Sequence, residues 1–154
     1  MILPQNRKLA ESGFTLIEVL VALVVLAIGM LGLAALQTTG IRYAHGSYQE
    51  TQATILTYNM IDRIRANPTG KDAGNYDTVD TSTWTDSGDD CLVSACAGAL
   101  EVSNYDKNQW KQNIANNLGP TAKGTITTTG TIRAFTLSWQ ERDLPMTFKL
   151  EVEL

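Results

Sequence analysis

The sequence predicts an α+β fold, with one long N-terminal helix packed against a C-terminal antiparallel sheet. Three observations predict it. Residues 14–36 form a nearly unbroken apolar run. Residues 37–66 continue without proline and keep apolar residues at helical spacing. The C-terminal residues alternate apolar with polar side chains. A helix with an apolar stripe and a sheet with an apolar face each need cover, and stacking one on the other supplies it.

The first element is the helix. Residues 14–36 read FTLIEVLVALVVLAIGMLGLAAL and carry one charge, Glu18. As helix they would run about 35 Å, enough to cross a bilayer. Arg7 and Lys8 stand just ahead of the run, and a cationic flank held on the cytoplasmic side sends the other end of the helix out of the cell. Beyond the run, Ile41, Ala44, Tyr48 and Ile55 share one face, and Leu56, Met60 and Ile64 extend an adjacent stripe at i, i+4 spacing. Asn67-Pro68 is the natural stop, because the residue before proline resists helical geometry. A helix over residues 14–66 would be about 80 Å long. Gly29, Gly32 and Gly40 interrupt good helix formers, and small residues of this kind suit close approach between helices.

After the helix, residues 68–90 are mostly turn formers and read as a long surface loop. Asp86, Asp89 and Asp90 could offer oxygens to calcium, but their spacing is not that of an EF-hand, so an acidic solvated loop is the expected state and no metal site is assigned. Trp84 is expected to anchor the loop by packing. A short helix is expected over residues 103–118, capped by Ser103, with Trp110, Ile114 and Leu118 on one face and Gly119-Pro120 ending it. Phe135, Leu137 and Trp139 alternate with polar neighbours, as do Met146, Phe148, Leu150, Val152 and Leu154. These are two strands, turning at residues 141–145, with a third expected over residues 124–129.

Two features of the chain carry chemistry. The first is Glu18. A carboxylate inside a bilayer costs about 3 kcal/mol on insertion scales, so its presence in an apolar helix calls for a partner. Cutting the peptide bond after Gly13 would free the amino group of Phe14, a cation one helical turn from Glu18 in the same chain or beside Glu18 of a neighbour. The small residue precedes the apolar run instead of following it as in an ordinary secretory signal, so such a cut keeps the helix. The second feature is the C-x4-C pair, Cys91 and Cys96. In an exported region an oxidising compartment favours a disulfide, and two thiols are too few ligands for zinc.

The stretch Gly13-Phe14-Thr15-Leu16-Ile17-Glu18 resembles the leader and processing site of type IV pilins and type II secretion pseudopilins. The resemblance implies that prepilin peptidase cleaves after Gly13 and N-methylates Phe14, that Glu18 guides subunit docking, and that the fold is the type IV pilin fold. It narrows to PilV-type minor pilins on three segments: residues 18–37, the run Asp62-Arg63-Ile64-Arg65-Ala66-Asn67-Pro68, and Trp139 followed by Glu141 and Arg142. On that basis residues 1–13 are a cleaved leader, 14–36 the membrane and polymerisation half of the helix, 37–66 its amphipathic half, and 67–154 a periplasmic globular region. The implied partners are other minor pilins, the major pilin, prepilin peptidase and the inner-membrane assembly platform, with a pilus-tip adhesin as a further candidate. The implied location is the inner membrane, by a single pass, and then the pilus.

Other functions fit less well. A net charge of −4 supplies no basic patch for nucleic acid. The lone histidine, His45, has Ser47 and Glu50 near it only in sequence, and residues two apart on a helix do not face each other, so no catalytic triad forms. Without a phosphate loop or metal cluster, no enzyme activity or cofactor is expected. The rival readings are a minor pseudopilin and a bitopic membrane protein with a periplasmic binding module.

Overall fold

The computed structural model describes residues 13–142 and 144–154. In chain order the elements are α1 (Leu16–Ala66), α2 (Pro68–Asp72), β1 (Thr78–Asp80), α3 (Ala99–Leu118), β2 (Lys123–Thr129), β3 (Ile132–Glu141) and β4 (Leu144–Glu153). The arrangement is α+β and pilin-like, with a long N-terminal helix and a C-terminal four-stranded antiparallel sheet ordered β1-β2-β3-β4. The chain divides between Tyr43 and Ala44 into two compact units. Residues 1–12 of the expected leader lie outside the described residues.

In the first unit, α1 is exposed all round from Leu16 to Tyr43. In the second, the rest of α1 supplies Ala53, Leu56, Met60, Ile61 and Ile64 to the core. Trp110, Ile114 and Leu118 of α3, Tyr76, and Val79, Ile126, Phe135, Leu137 and Trp139 of the sheet complete it. Of the two stripes read from the sequence, only the one through Leu56, Met60 and Ile64 is buried. Ile41, Tyr48 and Ile55 are 72%, 56% and 53% exposed, and Ala44 is exposed as well. The buried face is completed by Gln49 and Thr57. The Thr57 hydroxyl is satisfied locally, donating to the Ala53 carbonyl at 2.9 Å, which lets this polar residue sit in the core without a solvation penalty.

The sheet joins its strands by short links. Two residues connect β2 to β3 and two connect β3 to β4, with Arg142 at φ 59° taking the left-handed conformation that a tight hairpin requires. The turn is therefore shorter than residues 141–145. Pro145 lies inside β4 opposite Gln140, a position open to proline because β4 is an edge strand. Met146, Phe148, Leu150 and Val152 are only partly buried. At Gly124 the sheet and α3 approach so closely that a Cβ would stand 2.5 Å from Ile114 Cδ1 and 2.7 Å from Trp110 Cη2. Arg133 occupies a core-facing position of β3 and is buried because its guanidinium donates to Asp77 Oδ1 at 2.8 Å.

Two further expectations are corrected. The stretch 68–90 is not all loop, since it contains α2 and β1. α2 forms because Pro68 supplies a pre-set first helical residue and the Asn67 side chain accepts from Gly70 N. α3 begins at Ala99, after Gly98, and Ser103 is not its cap: it is buried inside the helix, donating to the Leu100 carbonyl at 2.7 Å.

Candidate functional site

The candidate site is the start of α1. Thr15, not Phe14, sets the helix boundary: the Glu18 amide donates to the Thr15 carbonyl at 3.1 Å and approaches its hydroxyl at 3.4 Å. Thr15 and Glu18 thus stand at the spacing of a capping box, a signal carried by the Thr-x-x-Glu pattern of the sequence itself. A carboxylate in the first turn also lies at the positive end of the helix dipole. Among the described residues, no ion pair engages Glu18. Phe14 is 82% exposed, and Gly13 has open space where a side chain would be. Phe14 and Glu18 line one shallow groove with Val19, Ala22, Leu23 and Leu26. The geometry therefore brings together the residue that would carry the new amine and the carboxylate that would meet it.

From this groove onward, α1 is long and apolar enough to cross a membrane, and none of its most apolar stretch is buried within the chain. Gly29, Gly32 and Gly40 likewise have no neighbour within 4 Å of an added Cβ, so any close packing they serve involves something outside this chain.

The run Asp62 to Pro68, singled out in the sequence, has a structural task in the second unit. Arg63 Nη1 donates to Asp106 Oδ1 at 2.9 Å, and Tyr76 Oη donates to Asp106 Oδ2 at 2.7 Å. Asn67 Nδ2 donates to Tyr76 Oη at 3.0 Å and to the Ala99 carbonyl at 2.9 Å. The C-terminal end of α1 is thereby tied to α3 and to the segment ahead of β1. Burial, reinforced by the bond to Asp106, pushes the Tyr76 hydroxyl well above its ordinary titration range, so it stays a neutral donor. Asp62 and Arg65 are exposed and form only an i, i+3 surface pair. In the third singled-out segment, Glu141 lies against α1, where a Cβ on Gly46 would stand 2.9 Å from its Oε2.

The acidic loop is held by a row of polar residues along α3. Trp84 Nε1 donates to Asn108 Oδ1 at 2.6 Å, Lys111 Nζ donates to the Trp84 carbonyl at 2.6 Å, and Lys107 Nζ stands 4.0 Å from the Trp84 ring centroid. Burial lowers the Lys107 pKa. Asn108 Nδ2 donates to Asp86, and Asn104 Nδ2 donates to Asp89 at 3.0 Å; the latter bond holds the Asp89 carboxyl below its usual range. Two of the three carboxylates considered for calcium are thus engaged by amides, and among the described residues no cluster of three metal-binding side chains forms. Cys91 and Cys96 have their sulfurs at bonding distance, 1.95 Å, with Cα atoms 5.0 Å apart. His45, Ser47 and Glu50 are all exposed on α1.

Residues 8–34 match the family model described as the prokaryotic N-terminal methylation motif. No curated protein and no solved structure matches the chain. The motif supports a type IV pilin-like prepilin, a description that covers pilins and pseudopilins alike, and together with the apolar helix it is consistent with membrane anchoring.

Proposed function

We propose that this chain is a minor pilin that primes or modifies type IV pilus assembly, a structural subunit without catalytic activity. One observation carries the reading: Gly13-Phe14 stands just ahead of an exposed apolar helix, with Phe14 and Glu18 in one groove, inside a methylation motif. Prepilin peptidase cleaves after Gly13 and methylates the Phe14 amine. That cation neutralises Glu18 of its own or a neighbouring subunit, and the pairing guides docking in an apolar stack where an unpaired carboxylate would be costly. Before assembly the protein sits in the inner membrane with residues 37–154 in the periplasm, where Cys91 and Cys96 form a disulfide. It then enters the filament with other minor pilins, near the tip. The narrower assignment rests on the PilV-like segments, residues 18–37 and 62–68. A pseudopilin of type II secretion would share the processing site and differ in its assembly partners.

Mass spectrometry of sheared filaments tests both levels. The expected protein begins at N-methylated Phe14 and is recovered at far fewer copies than the major subunit. Protein retaining Met1, or lacking residues 14–36, would end the pilin reading. Copy numbers equal to the major subunit would end the minor-pilin role alone.

A further inference from the structure

Among the described residues of the second unit, the most exposed large apolar side chains belong to neither the core nor the filament reading. Leu92 and Val93, at the crest of the turn between Cys91 and Cys96, are 82% and 85% exposed, as exposed as Phe14 at the start of the anchor. Exposed apolar surface on a folded domain is where contact surfaces form when neighbouring apolar side chains make it contiguous, as these two do. The turn beneath them is built. Asp90 Oδ1 accepts from Leu92 N at 2.9 Å, and the Asp90 carbonyl accepts from Val93 N at 3.2 Å and Ser94 N at 3.1 Å. Glu101 Oε2 accepts from Ala97 N at 2.8 Å, and the sulfurs close the base. Upstream, Asp86 and Asp89 are clipped to Asn108 and Asn104 of α3. The crest is therefore held in one shape before any encounter, which removes much of the ordering cost that a flexible loop meets on binding.

Charge specifies what the crest fits. Between Lys71 and Lys107 the chain has no lysine or arginine, and Asp86, Asp89, Asp90 and Glu101 flank the turn. An apolar tip in an acidic stretch of chain without a lysine or arginine is repelled by anionic lipid and drawn to a surface of opposite sign. We propose that Leu92 and Val93 form a docking knob for a protein cleft whose floor is apolar and whose rim carries lysine or arginine. The proposal concerns the exported unit and does not depend on which filament, if any, the chain enters.

Photo-crosslinking in cells tests it with the full-length chain. p-Benzoylphenylalanine replaces Val93, and a control carries it at Thr83, exposed in the same region. The expected result is an adduct specific to position 93, with one protein, whose crosslinked peptide carries basic residues beside apolar ones. Its yield falls roughly tenfold or more when Leu92→Ser is added, as for a buried contact residue at an interface, and it falls when the salt of isolated membranes is raised. Leu92 is too exposed to support the fold, so loss of the adduct in that variant reports the contact itself. No adduct above the Thr83 control, an adduct with lipid, an adduct with the acidic loop of a second copy, or a yield indifferent to both Leu92→Ser and salt would each overturn the proposal.

Discussion

The two units of this chain treat apolar residues in opposite ways. From Leu16 to Tyr43 every residue of α1 is exposed, while from Ala44 onward fourteen apolar residues form a core that excludes water. The hydrophobic effect acts on both, but in the second unit it is satisfied within the chain, and in the first it is left unsatisfied by the described residues, as a helix apolar enough to cross a membrane would leave it. Residues that stabilise the second unit are therefore not those expected to place it in a membrane or filament.

The sharpest way to break this comparison is to divide the chain. Residues 44–154 produced alone should be soluble, monomeric and cooperatively folded, with membrane association lost completely; circular dichroism and sedimentation would check it. Failure to fold would mean that the second unit borrows stability from the first.

The next effect lies in the core. Trp110 packs between α1 and β2 and donates from Nε1 to the Leu56 carbonyl at 3.1 Å. Trp110→Ala should lower stability by about 3–5 kcal/mol, read from denaturant unfolding of the second unit. A smaller loss is expected for Asp106→Ala, which strands Arg63 and the buried Tyr76 hydroxyl. The Arg63 side chain is 30% exposed, so solvent recovers part of the pair, and the expected cost is about 2–3 kcal/mol. Both substitutions should act through folding alone, with membrane insertion unchanged.

The smallest effect on stability belongs to Glu18→Leu, and it sharpens the contrast most. It should leave unfolding of the second unit unaltered and membrane insertion intact or improved, since a charge leaves an apolar helix, while incorporation into filaments falls. Normal incorporation, measured by immunoblot of sheared pili, would reject the pairing of Glu18 with the Phe14 amine.

Much of the architecture was readable before any coordinates. The helix end at Asn67-Pro68, the two C-terminal strands and a third strand at residues 124–129 were readable, because each is encoded by neighbours within a few residues: a proline, an alternation of two, a stripe of four. Sequence expectation and structure part where distant residues decide. The stripe through Ile41, Tyr48 and Ile55 is apolar like the one through Leu56, Met60 and Ile64, and only the placement of α3 and the sheet selects which is buried. Ser103 has a good cap's chemistry, yet α3 starts earlier and encloses it. β1 is three residues long and exists because β2 lies beside it, so no local signal marks it.

The sequence by itself determined the long apolar helix, the Gly13-Phe14-Glu18 constellation and the α+β class, since composition, periodicity and spacing along the chain are local properties that survive without a fold. Only the tertiary structure decided that Arg63, Asn67, Tyr76 and Asp106 form one network, that Arg133 is buried against Asp77, and that the acidic loop is fastened to α3 through Asn104 and Asn108. A buried polar group must find its partner wherever the folded chain brings one within hydrogen-bonding distance, and separation along the sequence carries no record of that meeting.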